Sequence, residues 1–88
     1  MLAFHDRLLA GRDEILDLIQ LETGKTRSDA FEEVAEVANV ARFYARSAAA
    51  LLAPRRVRGA MPVLCTATEQ RLPRGVVGII TPWNYPFA

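Results

Sequence analysis

Asn84 is the residue of this sequence whose surroundings are best suited to chemistry. It lies in the segment GIITPWNYPFA, residues 78–88, between Pro82 and Pro86 and directly after a run of aliphatic residues. The prolines stiffen the turn, and a primary amide whose geometry is fixed before a reaction is a good hydrogen-bond donor to a developing oxyanion. An asparagine between prolines is also a common turn residue. The spacing alone therefore leaves a catalytic and a structural interpretation open.

Cys65 is the only cysteine and the other residue that could act as a nucleophile. It alternates with Val63 and Ala67 as the residues of an apolar strand face would, whereas a catalytic cysteine requires an accessible, electropositive setting. We therefore predict a structural role for Cys65. With one cysteine and one histidine, His5, the sequence cannot build a disulfide framework or a multi-cysteine zinc site, so no metal site is expected.

The length and charge of the chain bound its function class. Its 88 residues, 51% hydrophobic and with a formal net charge of +1, fit one small soluble domain at most. Such a charge produces no long-range field that would attract nucleic acid or anionic membranes. No apolar stretch is long enough for a signal peptide or a membrane span. We expect a cytoplasmic protein with neither a nucleic acid nor a membrane as partner.

Two short helices are predicted at the start of the chain. Apolar residues recur at helical spacing over residues 2–10 and again over residues 13–23. Asp13 is predicted to cap the second helix. Gly24 lies just past the end of that helix, where glycine adopts a left-handed conformation most easily.

A longer third helix is predicted to begin near Thr26 or Ser28 and to end before Pro54. Three acidic residues lie in its early turns, where the helix dipole favours negative charge: Asp29, Glu32 and Glu33. Its buried face is predicted from the period of 3.6 residues: Val34, Val37, Ala38, Ala41, Tyr44 or Ala45, Ala48, Leu51 and Leu52. The small alanines indicate close packing against a neighbour.

Strand patterns follow the helices. Residues 55–62 are predicted to be a connector, and residues from 63 to about 71 or 72 alternate as a strand. After a turn at residues 73–75, residues 76–80 form a continuous apolar run, which is typical of a central strand in a parallel sheet. Ligands of such sheets bind beyond the carboxyl ends of the strands, where residues 81–86 lie. The chain has few elements to cover this strand, so we expect it to be a fragment.

Three motifs together resemble the N-terminal part of the NAD(P)-dependent aldehyde dehydrogenase superfamily: GVVGIITPWNYP, the RLPR that precedes it, and LETGKT upstream. The resemblance implies an α/β fold, with N-terminal helices and strands of a Rossmann-like cofactor domain that is incomplete in this chain. It assigns residues 1–53 to helices of the cofactor-binding domain and residues 54–72 to a strand segment of the oligomerisation domain. Residues 73–88 would be the first strand and the active-site loop of the cofactor-binding domain.

The resemblance also implies a mechanism. In this family a cysteine thiolate attacks the aldehyde, an asparagine amide and a backbone N–H hold the oxyanion, and hydride passes to the nicotinamide before a glutamate activates water. Only the asparagine carries over, as Asn84, because the nucleophile and the general base lie outside this chain. Five residues would line the NAD or NADP site: Ile80, Thr81, Pro82, Trp83 and Asn84. The full-length enzyme would be a homo-oligomer acting on a small aldehyde, and the fragment alone would be inactive.

The sequence also suggests a substrate and two alternative functions, phosphate binding and nucleic-acid binding. LLAPRR, followed later by RLPRGVVGIITPWNYP, looks most like the succinate-semialdehyde branch of the family. Gly24, Lys25 and Thr26 match the end of a phosphate-binding P-loop, although a helix precedes them instead of a strand. Three arginines after the long helix could contact nucleic acid in a small binding or interaction module: Arg55, Arg56 and Arg58.

Overall fold

The computed structural model describes residues 1–61 and 63–88, so that Pro62, the last residue of the predicted connector, lies outside the described residues. The elements in chain order are α1 Leu2–Ala10, α2 Arg12–Thr23, α3 Arg27–Leu51, β1 Arg55–Arg58 and β2 Thr66–Glu69. The chain divides into two compact units. The first comprises residues 1–46 and 79–88, and the second comprises residues 47–78.

Gly11 joins α1 and α2 almost without a break. Its backbone has φ −94° and ψ 10°, its N–H donates to the Arg7 carbonyl at 3.0 Å, and its carbonyl accepts the Ile15 N–H at 3.2 Å. The predicted cap at Asp13 is wrong, because α2 already begins at Arg12 and Asp13 lies inside its first turn. There the carboxylate still faces the positive end of the helix dipole.

Gly24 ends α2 as predicted. It has the left-handed conformation, with φ 72°, and its N–H donates to the Gln20 carbonyl at 2.9 Å. The next helix begins at Arg27, one residue after Thr26, whose hydroxyl oxygen accepts the Asp29 N–H at 3.2 Å. A threonine that accepts this bond caps an orphan donor of the first turn. The turn between α2 and α3 is therefore closed on both sides by local hydrogen bonds.

The core of the first unit lies between the three helices. Its fully buried hydrophobic residues are Leu8, Leu16, Ile19, Ala30, Val34, Ala38 and Ala41. The predicted buried face of α3 is confirmed at Val34, Ala38 and Ala41, and Val37 is partly buried. Of the two alternatives Tyr44 and Ala45, Ala45 is half-buried and Tyr44 is exposed, and Ala48 is half-buried as well. The prediction is wrong at Leu51 and Leu52, which are exposed. Full burial along α3 thus ends at Ala41 within the described residues.

The second unit contains an antiparallel hairpin of β1 and β2, in which Arg55 pairs with Glu69 and Arg58 pairs with Thr66. The predicted connector is therefore wrong over residues 55–58, which form a strand. Every residue of β1 is exposed, so this strand has no buried apolar face that a sequence pattern could reveal. The Arg71 guanidinium donates to the carbonyl of Leu51, the last residue of α3, at 2.9 Å.

Cys65 does not lie on an apolar strand face, so that prediction is wrong. It precedes β2, is exposed, and its backbone N–H donates to the Met61 carbonyl at 2.8 Å in the turn of the hairpin. Gly59 lies so close that a Cβ there would be 2.8 Å from the Cys65 carbonyl oxygen. This close approach of two backbones explains a glycine at the end of β1.

The apolar run at residues 76–80 forms no strand, contrary to the prediction. Val76 and Ile80 are fully exposed, and no strand of the described residues pairs with the run. A strand needs a partner for its backbone N–H and C=O groups, however apolar its side chains are. The described residues thus form a partial α/β arrangement of three helices and one two-stranded sheet. Within the described part of the chain, no helix combines the length and apolar character needed to cross a membrane.

Candidate active-site loop and its anchor

Residues 81–88, here called the asparagine loop, are closed by two internal hydrogen bonds. The Tyr85 N–H donates to the Pro82 carbonyl at 3.1 Å, which makes a tight turn around Trp83 and Asn84. The Thr81 hydroxyl donates to the Pro86 carbonyl at 2.9 Å and ties the two ends of the turn together. The loop therefore has a defined shape, and Asn84 lies at its tip.

The predicted site residues Ile80, Thr81, Pro82, Trp83 and Asn84 are all exposed. Ile80 is fully exposed and Trp83 is 83% exposed. Among the described residues, no side chain or backbone group forms a hydrogen bond with the Asn84 amide. Its two N–H groups are thus available to a ligand, whereas its role toward an oxyanion and the cofactor roles of the other four residues stay predictions.

Glu33 anchors the end of the asparagine loop to α3. The residue as a whole is only 1% exposed. One carboxylate oxygen, Oε1, accepts the backbone N–H of Phe87 at 2.6 Å and that of Ala88 at 3.0 Å. Charge-assisted bonds of this kind are about twice as strong as those between neutral groups. The backbone just after Asn84 is therefore held by a buried anion.

Lys25 completes this anchor. Its Nζ lies 2.8 Å from Glu33 Oε2 and 4.0 Å from the centroid of the Tyr85 ring, over which it is placed. Its backbone is fixed as well, since its N–H donates to the Thr23 hydroxyl oxygen at 3.2 Å and its carbonyl accepts from Gln20 at 3.3 Å. A lysine ammonium over an aromatic face is an attractive cation–π arrangement. Lys25 thus contacts both Glu33 and the residue that follows Asn84.

The electrostatics of Glu33 favour its charged form. Burial by itself raises the pKa of this carboxyl group, but the hydrogen bonds from Lys25, Phe87 and Ala88 and the charge of Lys25 together lower the pKa below its ordinary value of 4.5. Glu33 is therefore ionised at neutral pH. The adjacent ammonium compensates a buried charge that would otherwise be strongly destabilising.

An apolar contact accompanies these polar bonds. Phe87 is half-buried and packs against the core cluster formed by the three helices. It lies beside Pro86 over a groove on α2 lined by Ile15, Leu18 and Ile19. The loop is thus joined to the helices both by the side chain of Phe87 and by the backbone N–H groups of Phe87 and Ala88.

Sequence reasoning missed the role of Glu33. The prediction placed Glu33 in the early turns of α3 as a residue that faces the helix dipole, which does not require burial. Its spacing from Ala30, Val37 and Ala41 at three, four and eight residues puts it on the stripe that faces the core. A single acidic residue on such a stripe is the signal that could have identified a buried partner, because a buried carboxylate requires one.

The rival classes find little support in this geometry. The Lys25 ammonium is already paired with Glu33 and covers Tyr85, so it is not free for phosphate as a P-loop lysine is. Arg55 forms an ion pair with Glu69 at 2.7 Å across the hairpin.

Among the described residues, no group of three His, Cys, Asp or Glu side chains could hold a metal ion.

Comparisons with known proteins agree with the motifs. The sequence profile described as the aldehyde dehydrogenase family matches residues 1–88. A Mycolicibacterium smegmatis protein, provisionally named a succinate-semialdehyde dehydrogenase [NADP(+)], is 48% identical over 97% of this chain and 16% of its own length. A Mycobacterium ulcerans protein with a similar provisional name is 43% identical over 94% of this chain and 16% of its own length.

A third relative carries a different name. The 4,4'-diapolycopene aldehyde oxidase of a Methylomonas species is 39% identical over 92% of this chain and 16% of its own length. No solved structure matches the chain. The chain thus spans about 16% of the length of the curated relatives that it matches. Because the family profile covers every residue, this chain belongs to the aldehyde dehydrogenase family.

Proposed function

We propose that the full-length protein containing this chain oxidises an aldehyde to a carboxylic acid with NAD or NADP, and that Asn84 donates a hydrogen bond to the oxyanion formed on the way. Family membership supports the reaction class. The observation that carries the role of Asn84 is its position: an exposed amide on a turn whose shape is set by the Thr81 and Tyr85 hydrogen bonds. Preorganised donors of this kind stabilise charge that develops in a transition state.

The proposed chemistry assigns Asn84 one task. A cysteine thiolate from outside this chain attacks the aldehyde carbon, so that the carbonyl oxygen gains negative charge and the amide N–H of Asn84 donates to it. Asn84 neither gives up a proton nor forms a covalent bond. Removal of one such donor raises a barrier by about 3 to 4 kcal/mol. Asn84 therefore acts on the rate more than on binding of the aldehyde, whose carbonyl oxygen carries no charge before the attack.

The same loop is proposed to form one wall of the cofactor site. The bound nicotinamide would accept the hydride of the aldehyde, and a planar ring of this kind needs apolar surface beside a polar donor. Ile80 and Trp83 supply exposed apolar groups next to the Asn84 amide, with Thr81 and Pro82 between them. This combination of apolar side chains and one amide donor fits the nicotinamide end of a dinucleotide.

Succinate semialdehyde is the substrate that we propose. The names of the two mycobacterial relatives support it, and both names specify NADP(+) as the cofactor. The Methylomonas relative is named for a different aldehyde, 4,4'-diapolycopene aldehyde, although it aligns with almost the same share of the chain. A cation is needed to recognise the carboxylate of succinate semialdehyde. Lys25, the cation that contacts the asparagine loop, is already paired with Glu33, so we infer that the carboxylate is recognised by residues outside this chain.

The hairpin is proposed to belong to the oligomerisation domain of a cytoplasmic homo-oligomer. All of β1 is exposed, and each strand of the two-stranded ribbon has one edge without a partner strand among the described residues. Edges of this kind are commonly covered by another strand or another subunit. Size-exclusion chromatography with light scattering on the full-length protein tests this, and a monomer would contradict it.

The proposal for Asn84 is tested with the full-length protein and succinate semialdehyde. The Asn84→Ala variant is expected to lower kcat by about 10² to 10³ while the KM for the aldehyde changes little. Asn39→Ala provides a matched control, because Asn39 is an exposed asparagine of α3 outside the asparagine loop. Formation of the reduced nicotinamide gives the rate. An Asn84→Ala variant with unchanged kcat, or wild-type protein without aldehyde-dependent reduction, would overturn the proposal.

A further inference from the structure

We propose that Lys25 and Glu33 are positioning residues for Asn84: their partly buried ion pair orients the asparagine loop so that the amide meets the reacting oxygen. This inference rests on the proposed function. Neither residue forms a hydrogen bond with Asn84 itself. Lys25 contacts the ring of Tyr85, and Glu33 binds the N–H groups of Phe87 and Ala88. The pair therefore holds the chain at one, three and four residues after the amide.

The internal bonds of the loop cannot do this alone. The Thr81 to Pro86 and Tyr85 to Pro82 bonds define the shape of the turn, but both of their ends lie within the loop. They leave open how the turn is oriented relative to α2 and α3. Among the described residues, the polar contacts that join the loop to these helices are those of Glu33, and Lys25 adds its contact with the Tyr85 ring.

The apolar anchor is also insufficient. Phe87 packs against the core cluster, and hydrophobic contact of this kind is non-directional, so a ring can rock or slide without much loss. Hydrogen bonds to a carboxylate depend steeply on angle and distance. Two of them converge on Glu33 Oε1, and the other oxygen is held by Lys25 at 2.8 Å. The carboxylate is thus itself fixed on both sides.

An ion pair with a buried carboxylate and a partly buried ammonium is informative here, because it is an inefficient way to gain stability. Apolar residues of similar volume often stabilise a core as well as, or better than, a buried pair. The Lys25–Glu33 pair offers something that apolar residues do not, which is a fixed direction for the backbone after Asn84. Displacement of a catalytic group by about 1 Å can reduce a rate about 10²-fold, so orientation at this accuracy matters.

A double-mutant cycle in the full-length protein separates positioning from a general structural role. Glu33→Gln keeps the size of the side chain and an oxygen for the two N–H groups, but loses the charge that attracts Lys25. It is expected to lower kcat about tenfold in the presence of Asn84 and less than about twofold in the Asn84→Ala background. The KM for the aldehyde is expected to change little. Glu32→Gln is the matched control, since Glu32 is the exposed neighbour on the same helix.

Lys25→Met is the second variant in case Glu33→Gln does not fold, and it is expected to show the same dependence on Asn84. Lys25→Arg, which keeps a cation that pairs with carboxylates and stacks on rings, should have a higher kcat than Lys25→Met. Equal fold losses with and without Asn84, or no loss at all, would overturn the positioning role while leaving the role of Asn84 intact. Wild-type protein that does not reduce the cofactor with any aldehyde would overturn both.

Discussion

Glu33 Oε1 accepts the backbone N–H of Phe87 at 2.6 Å, although the two residues are 54 positions apart in the sequence. This bond brings the end of the chain back onto the first half of α3. Lys25 pairs with the other oxygen of the same carboxylate and lies over the ring of Tyr85, so a residue of the LETGKT motif contacts a residue of the GVVGIITPWNYP motif. The two stretches that carry the family resemblance are therefore also physically joined.

The ionisation of Glu33 predicts a pH dependence of stability. Its pKa is lowered on folding, so its contribution is fully present above its ordinary pKa of 4.5 and is lost as the pH falls through the lower folded value. Wild-type protein should have a higher Tm than Glu33→Gln at pH 7, and the difference should shrink as the pH falls below 4.5. Differential scanning calorimetry of the full-length proteins measures it. The groups that face the carboxylate are Lys25 and the amides of Phe87 and Ala88.

The control for this experiment is Glu32→Gln, which removes an exposed carboxylate from the next position of α3. Its Tm difference from the wild type should stay small across the same pH range, because Glu32 is exposed and forms no ion pair within the described part of the chain. If the Tm difference for Glu33→Gln were constant down to pH values well below 4.5, or grew with acidity, the ionised pair would not be the cause of stabilisation.

Gly24 predicts a purely conformational effect. Its φ is 72°, and nothing lies within 4 Å of a Cβ built there, so a side chain would fit but its backbone would be strained. Gly24→Ala is expected to lower the free energy of unfolding by about 1 to 2 kcal/mol. Gly24→Asn should lose less, since asparagine tolerates the left-handed region better. Urea unfolding measures both variants, and an alanine variant as stable as the wild type would contradict the argument.

The helices and the family could be predicted from the sequence because their signals are local. Apolar spacing identified three helices, and Gly24 marked the end of α2 because only glycine enters the left-handed region at low cost. The motif around Asn84 identified the family without any knowledge of its conformation. In each case, neighbours within a few residues determine the pattern.

The features that could not be predicted depend on distant partners. The run at residues 76–80 has the composition of a central strand, yet a strand forms only where another strand satisfies its backbone, and the described residues contain none beside it. The hairpin strand β1 has an arginine-rich sequence without an apolar face, so periodicity could not reveal it. Glu33 was missed because its partners are eight, 54 and 55 residues away.

Tyr85 offers a direct test of how Lys25 is held. Lys25 Nζ lies 4.0 Å from the centroid of the ring, and the contact therefore uses the face of the ring and not the hydroxyl group. Tyr85→Phe keeps this face and should leave kcat of the full-length protein within about twofold, whereas Tyr85→Leu removes a cation–π contact of about 0.5 to 2 kcal/mol and should lower kcat several-fold. Steady-state rates with the aldehyde distinguish these outcomes. Equal losses of kcat in both variants would mean that Tyr85 acts through its hydroxyl group and not through the face of its ring. The cation–π contact would then not connect Lys25 to the residue after Asn84.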